Sequence, residues 1–260
     1  MKNNINRQDM LNKCIELSKE DNMTFLTNKA LCVEYDSIKY IQKLKEKNII
    51  FDAIITDPPF NISQKNNFNT LNRKGLDFGE WDKNFAICDW IKEINPILKN
   101  GGNIIIFSAW REMGNIAKTL EENGFIVKTL ITWEKKNPMP RNRTRLYVSD
   151  REYAIWAVKK GGKWTFNKPD EVPYLRPLYT SGVVCGKERV GHPTQKSIKV
   201  MKEIIETHTN EGDLIFDPFS GSFTTMVSAL QANRLFVGTE LDGKWIDIAK
   251  QRIDELNKKK

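Results

Sequence analysis

Phe51-Asp52-Ala53-Ile54-Ile55-Thr56-Asp57-Pro58-Pro59-Phe60 runs from an apolar, β-branched stretch straight into two prolines. Six residues of that kind ahead of a breaker read as a strand buried on both faces, as in a parallel sheet between layers of helices. The prolines fix φ and push the preceding residue out of the helical region. The strand therefore leads into a rigid, extended ledge at its carboxyl end, the edge where open α/β sheets bind ligands. The ledge offers the Asp57 carboxylate, carbonyls that no helix consumes, and an aromatic face. A planar amine fits it, with Asp57 and the Pro58 carbonyl accepting two N–H protons while Phe60 stacks on the ring. Taken alone, the same residues also read as a simple turn after a strand.

Outward from this ledge, short apolar runs alternate with helical patterns, the signature of a mostly parallel sheet with crossover helices on both faces. Seven strands are expected, at 30–35, 51–56, 103–108, 125–133, 152–158, 214–216 and 234–239. Helical periods fill 36–47, 83–99, 112–123, 194–207, 222–232 and 243–257, with Asp36 as N-cap of the first. Asn100-Gly101-Gly102 and Asn123-Gly124 stand where left-handed caps are expected. The alternation breaks at 61–82, which reads as a mobile loop, and across roughly 134–191.

The chain has 260 residues and a formal net charge of +8. No apolar run approaches the ~20 residues of a membrane span, and the first residues lack a signal-peptide core. Cysteines at 14, 32, 88 and 185 show no short spacing, which reads as free thiols of a cytoplasmic protein. With only His192 and His208, a histidine-rich metal site is excluded, and no metal is expected. The charge is concentrated. Residues 134–176 hold eleven basic and five acidic side chains, interleaved with Tyr147, Tyr153, Trp156, Trp164, Phe166 and Tyr174. Such a segment can neutralise phosphates and stack on bases, or it can be a solvated surface. Lys135, Lys136, Arg141, Arg143 and Arg145 are the candidate DNA contacts.

Two further stretches carry chemistry. Leu214-Ile215-Phe216-Asp217-Pro218-Phe219-Ser220-Gly221-Ser222 is a strand ending in an acidic turn that opens a helix. Free N–H groups at a helix start suit an anion, and Thr224 and Thr225 add hydroxyls. The next strand ends at Glu240, where a carboxylate can accept both hydroxyls of a ribose. His192-Pro193-Thr194-Gln195-Lys196 stands before the helix leading to the acidic turn.

Together these pieces resemble the β group of amino-methyltransferases, which use S-adenosylmethionine (AdoMet) on exocyclic DNA amines. That family carries Asp-Pro-Pro-aromatic, a target-recognition region, His-Pro-Thr-Gln-Lys and Asp-Pro-Phe-x-Gly-Ser-Gly-Thr-Thr in this order. The chain matches at Asp57–Phe60, 134–191, His192–Lys196 and Asp217–Thr225. The resemblance implies a Rossmann-like methyltransferase fold in circularly permuted order. Its catalytic domain would be 29–133 plus 192–257, its target-recognition region 134–191, and its N-terminal extension 1–28. Asp57, Pro58, Pro59 and Phe60 would hold the target amine of a base flipped from double-stranded DNA. Asp217, Pro218, Phe219, Gly221, Ser222 and Thr224 would line AdoMet, with Glu240 at the ribose and His192, Thr194 and Lys196 forming a wall. Aspartate, not serine, at the head of the catalytic motif implies adenine-N6 over cytosine-N4 methylation, with cytosine-N4 or RNA methylation by the same fold as the alternative. A homodimer and a cognate restriction endonuclease are the further partners implied. The second glycine of the AdoMet turn is Phe223 here. Its ring either tilts outward or obstructs the cofactor, leaving a DNA-binding module with weakened AdoMet binding. Ser197 replaces the proline usual after Lys196.

Overall fold

In a computed structural model, residues 6–19, 24–60, 85–138 and 144–258 are described. The expected loop 61–82, together with Arg141 and Arg143, lies outside them. In chain order the elements are α1 (Arg7–Ser18), β1 (Thr24–Leu26), β2 (Ala30–Glu34), α2 (Ser37–Glu46), β3 (Phe51–Thr56) and β4 (Leu98–Ser108). Then come α3 (Met113–Glu122), β5 (Phe125–Lys135), β6 (Arg151–Lys159) and β7 (Leu178–Ser181). The chain closes with α4 (Ile198–His208), β8 (Leu214–Asp217), α5 (Thr224–Gln231), β9 (Leu235–Glu240) and α6 (Lys244–Asn257).

The strands form one sheet in the order β1-β2-β9-β8-β3-β4-β6-β5-β7. The run β2-β9-β8-β3-β4 is parallel throughout, whereas β6 is antiparallel to both its neighbours. All seven expected strands are present, and two short ones extend the edges. β1 pairs antiparallel with β2 and β7 parallel with β5.

Side chains alternate across the pleat into two cores. Ile54, Ile104, Ile106 and Phe216 face one apolar cluster with α1, α2 and α3. Ala53, Ile55, Ile105 and Ile215 face the other with α4, α5 and α6. This double burial explains the apolar runs Ala53–Ile55 in β3 and Ile104–Phe107 in β4.

Four expectations change. The helix at 83–99 is replaced, over its described part, by 3₁₀ turns at Trp90–Glu93 and Asn95–Ile97. Pro96 lacks an N–H and disfavours a helical Asn95, so the chain breaks there and enters β4. Gly101 caps no helix: it takes a left-handed φ of +74° within β4, where an added Cβ would meet the Lys163 carbonyl oxygen at 2.2 Å. The helix expected from 194 begins at Ile198, because the Gln195 side chain bonds the backbone at Glu188 and Val190 and holds the preceding segment as a turn. Finally, residues expected only as an N-terminal extension include α1, capped by Asn6 and burying Leu11, Cys14 and Leu17 in the first core. Arg7 anchors it by ion pairs to Asp52 at 3.1 Å and Asp213 at 3.5 Å, residues on β3 and just ahead of β8.

Candidate functional site

The carboxyl ends of β2, β9, β8 and β3 feed one cavity of about 400 Å3. Asp36 lies just past β2, Glu240 ends β9, Pro218 and Phe219 come directly after β8, and Asp57 and Pro59 after β3 around its wall. Parallel strands bring four chain segments to this single edge, although they lie far apart in sequence. Phe219 is wedged in place by the edges of Phe85 and Trp90, with ring centroids 5.2 and 5.3 Å away.

At the centre, β3 and β8 are tied at their ends: the Thr56 hydroxyl donates to Asp217 Oδ1 at 2.6 Å. Asp217 also accepts the Phe219 backbone N–H at 3.1 Å. Burial raises its pKa to about 7, against the lowering effect of the Thr56 and Thr225 bonds. Glu240 bends back onto the acidic turn, one oxygen accepting the Gly221 N–H at 2.8 Å and the other the N–H groups of Leu241 and Asp242. Burial likewise raises the Glu240 carboxyl above its ordinary value. Gly221 has φ +49°, and a Cβ there would stand 3.1 Å from His192 Nε2, so the turn and the His-Pro-Thr segment approach closely. His192 leans its ring on Trp245, centroids 4.6 Å apart. Burial, then Lys196 and Lys244, depress its pKa to about 4.

All ten residues expected around a cofactor border one of two connected spaces. His192, Thr194, Pro218, Phe219, Gly221 and Glu240 line the main cavity. Asp217, Ser222, Thr224 and Lys196 line a cleft of about 30 Å3, room for about one water. Asp57 borders both.

Lys196 does more than form a wall. Its buried Nζ lies 2.5 Å from Asp57 Oδ2 and 3.0 Å from Glu152 Oε2. It also stands 5.0 Å from the Phe60 ring centre and 5.4 Å from that of Phe107. The other Glu152 oxygen pairs with Lys135 at 2.5 Å. The row Lys135–Glu152–Lys196–Asp57 thus alternates sign and balances its charge, which is how ionised groups persist away from water. Burial raises Asp57 to about pKa 6, with Lys196 lowering and Glu152 raising it. Glu152 falls below its usual value because Lys196 and Lys135 overcome the opposing effect of burial. Asp57 Oδ1 is buried without a hydrogen-bond partner among the described residues. It is an acceptor awaiting a donor.

Sequence reasoning missed Glu152, Trp245 and Ser37. Glu152 gave one signal, a charged residue inside an apolar strand pattern. Ser37 donates its hydroxyl to the Pro218 carbonyl and also lines the cavity. Of the candidate DNA contacts, Lys136 and Arg145 are exposed beyond the carboxyl end of β5. Lys135 is half-buried, and its ammonium pairs with Glu152.

Phe223 neither tilts outward nor obstructs the cavity, which corrects both expectations. It is fully buried in the second core, edge-on to Phe236, at φ +56°. That left-handed backbone is one a glycine takes freely. Phe223 packs in the core and lines neither of the two spaces. Among the described residues no group of three or more His, Cys, Asp or Glu could hold a metal ion, and no helix is long and apolar enough to cross a membrane.

Comparison with known proteins agrees with this arrangement. The family model N6_N4_Mtase, described as DNA methylase, matches residues 51–177 and 178–251. Type II methyltransferase M2.DpnII of Streptococcus pneumoniae is 30% identical over 247 residues, 88% of this chain and 91% of that protein. Type II methyltransferase M2.LlaDCHI of Lactococcus lactis subsp. cremoris is 30% identical over 243 residues, 87% of this chain and 90% of that one. The solved M1.HpyAVI–SAM complex superposes with a TM-score of 0.73 at 41% identity, covering 86% of this chain and 98% of that structure. With the Asp-Pro-Pro-Phe ledge and the acidic turn side by side on one sheet edge, and a family model matched over most of its length, this chain belongs to the DNA methylase family.

Proposed function

We propose that this protein methylates the N6 amine of an adenine flipped out of double-stranded DNA, at specific sites, with AdoMet as donor. The single observation that carries the reading is Asp57. One of its oxygens is buried beside the cavity without a partner among the described residues, while the other is held by the Lys196 ammonium.

The cavity suits AdoMet by its donor set and shape. Asp36, Glu240 and Asp242 give it negative walls for a molecule bearing sulfonium and ammonium charge. Phe85, Phe219 and Trp245 give apolar faces for an adenine ring. The room kept by Gly221 beside His192 lets backbone approach the ligand. Glu240 would take the ribose hydroxyls, and Asp217, Pro218, Ser222, Thr224, Thr194 and Lys196 the remaining contacts. AdoMet bound there supplies an electrophilic methyl carbon on sulfur.

The chain's own residues do the rest. Asp57 Oδ1 and the Pro58 carbonyl accept the two amine protons, which fixes the nitrogen lone pair toward the cavity. Phe60 stacks on the flipped base and Pro59 keeps the ledge rigid. On methyl transfer the nitrogen would shed one proton, and Asp57 stands within reach to take it and pass it to water. Placement of two reactants in line supplies most of the rate, with no covalent enzyme adduct.

Lys136 and Arg145, with Arg141 and Arg143 between them in the chain, would meet phosphates along the target-recognition region 134–191. A cognate restriction endonuclease as partner and a cytoplasmic location are part of the same proposal. A homodimer is the further assembly we propose. The test is tritium transfer from AdoMet to duplexes of varied sequence, then nucleoside digestion. Label in N6-methyladenine with wild type, and none with Asp57→Ala, is the expected result. Equal incorporation by both proteins would overturn it, and label in N4-methylcytosine would reassign the base.

A further inference from the structure

Glu152 stands outside every motif in the sequence, yet it sits one ion pair from the ledge. It is the second residue of β6, opposite Trp133 in register, at the base of the β5–β6 hairpin. The loop joining those strands contains Lys136 and Arg145 and ends at Asp150. The fully exposed Tyr147 belongs to the same loop. The start of β6 therefore connects the basic loop to Asp57 through two partly buried ion pairs, Glu152 to Lys196 and Lys196 to Asp57.

We propose that Glu152 is a positioning residue for methyl transfer: through Lys196 it fixes which oxygen of Asp57 faces the amine, and it ties that choice to the hairpin carrying the DNA-contacting loop. The inference rests on the reading of Asp57 as acceptor of the amine. Its geometric basis is the division of labour at Asp57. Oδ2 is held by the Lys196 ammonium, leaving Oδ1 alone to meet a ligand. Glu152 Oε2 lies 3.0 Å from the same ammonium as an ion pair without hydrogen-bond geometry, and that opposing charge favours the Lys196 position on Oδ2. Without Glu152, the long Lys196 side chain regains rotamers and can cap either oxygen.

The groups facing Asp57 come from every neighbouring element. They are Lys196 ahead of α4, Glu152 on β6, Lys135 on β5, Asp217 on β8, and the neutral His192. Lys196 and Lys135 lower the Asp57 pKa whereas Glu152 raises it. Activity requires the ionised carboxylate, so it should fall as pH drops through the Asp57 pKa. Removing Glu152 and removing Lys196 must then move that acid limb in opposite directions.

The experiment is single-turnover methylation between pH 5 and 9 with wild type, Glu152→Gln, Lys196→Met, Lys196→Arg and Asp57→Asn. Calorimetric AdoMet binding on each variant verifies the folded site. Glu152→Gln should lower the single-turnover rate about tenfold by loosening alignment, leave AdoMet affinity unchanged, and shift the limb to lower pH. Lys196→Met should shift it upward by about one unit, the effect of removing a buried counter-charge, with Lys196→Arg restoring it in part. An unmoved or upward limb in Glu152→Gln, or weaker AdoMet binding at an unchanged rate, would overturn the proposal. Should Glu152→Gln not fold, Glu152→Asp keeps the charge but shortens its reach, and a lowered rate with an unmoved limb is the supporting result; a wild-type rate overturns it. Asp57→Asn separates the two layers. Its inactivity alongside an unmoved Glu152→Gln limb sinks this inference alone, whereas its activity sinks the function beneath it.

Discussion

Thr56 and Asp217 close the ends of β3 and β8 onto each other, hydroxyl to carboxylate at 2.6 Å, though 161 residues separate them in the chain. The bond fastens the ledge for the base to the turn for the cofactor. Thr56→Val preserves shape and removes the donor. Leaving a buried carboxylate oxygen short of a partner should cost about 1–3 kcal/mol. Urea unfolding would show the loss, and calorimetry should show weaker AdoMet binding at the slackened turn.

Phe223 separates backbone strain from burial. Phe223→Gly relieves a left-handed conformation worth about 1–2 kcal/mol. It also empties a core site whose truncation costs about 3–5 kcal/mol. The expected outcome is a net destabilisation of roughly 1–4 kcal/mol in thermal unfolding. AdoMet affinity should not rise. Tighter binding by the variant would show that the ring does reach the cofactor site.

Asp217 predicts a pH dependence of stability. Its folded pKa, about 7, is raised above the ordinary carboxylate value. Its stabilising contribution is therefore full below about pH 4 and lost as pH rises through 7. Asp217→Asn removes that titration. The difference in melting temperature between variant and wild type should move in favour of the variant from pH 5 to 8. A constant difference would refute the raised pKa.

Arg145 and Lys135 should behave as opposites. Arg145→Ala is expected to reduce the salt slope of DNA affinity by about one unit by removing one phosphate contact. Lys135→Ala should leave that slope unchanged and lower the methylation rate, because its charge serves Glu152. Filter binding across salt concentrations, paired with turnover, distinguishes them.

The parallel strands are legible in the sequence because burial on both faces writes itself as an apolar run, as in Phe51–Thr56 and Leu214–Asp217. The ledge is legible because two prolines leave the backbone little choice. Other features are hidden for physical reasons. α1 is mostly polar and gains its place from four buried side chains, Leu11, Cys14, Leu17 and Ser18, and the Arg7–Asp52 pair, which only tertiary contact reveals. Pro96 is visible, but the helical period on either side of it masks the break that it imposes. Lys196 resembles a motif residue, yet its partner Glu152 lies 44 positions away, and the one local sign of it, a charge inside an apolar strand pattern, does not say what it pairs with.

The sheet order has a consequence for how the protein comes into being. β2 and β3 leave the ribosome early, yet in the finished sheet β8 and β9 from the carboxyl third lie between them. The early strands cannot take each other as native partners. Each must keep an unpaired parallel edge until the last third arrives, an exposure that invites association with other chains. A chain halted before Leu214 lacks its cofactor turn and presents two apolar edges around an empty slot. Synthesis of this protein thus carries its greatest hazard just before the molecule becomes able to act.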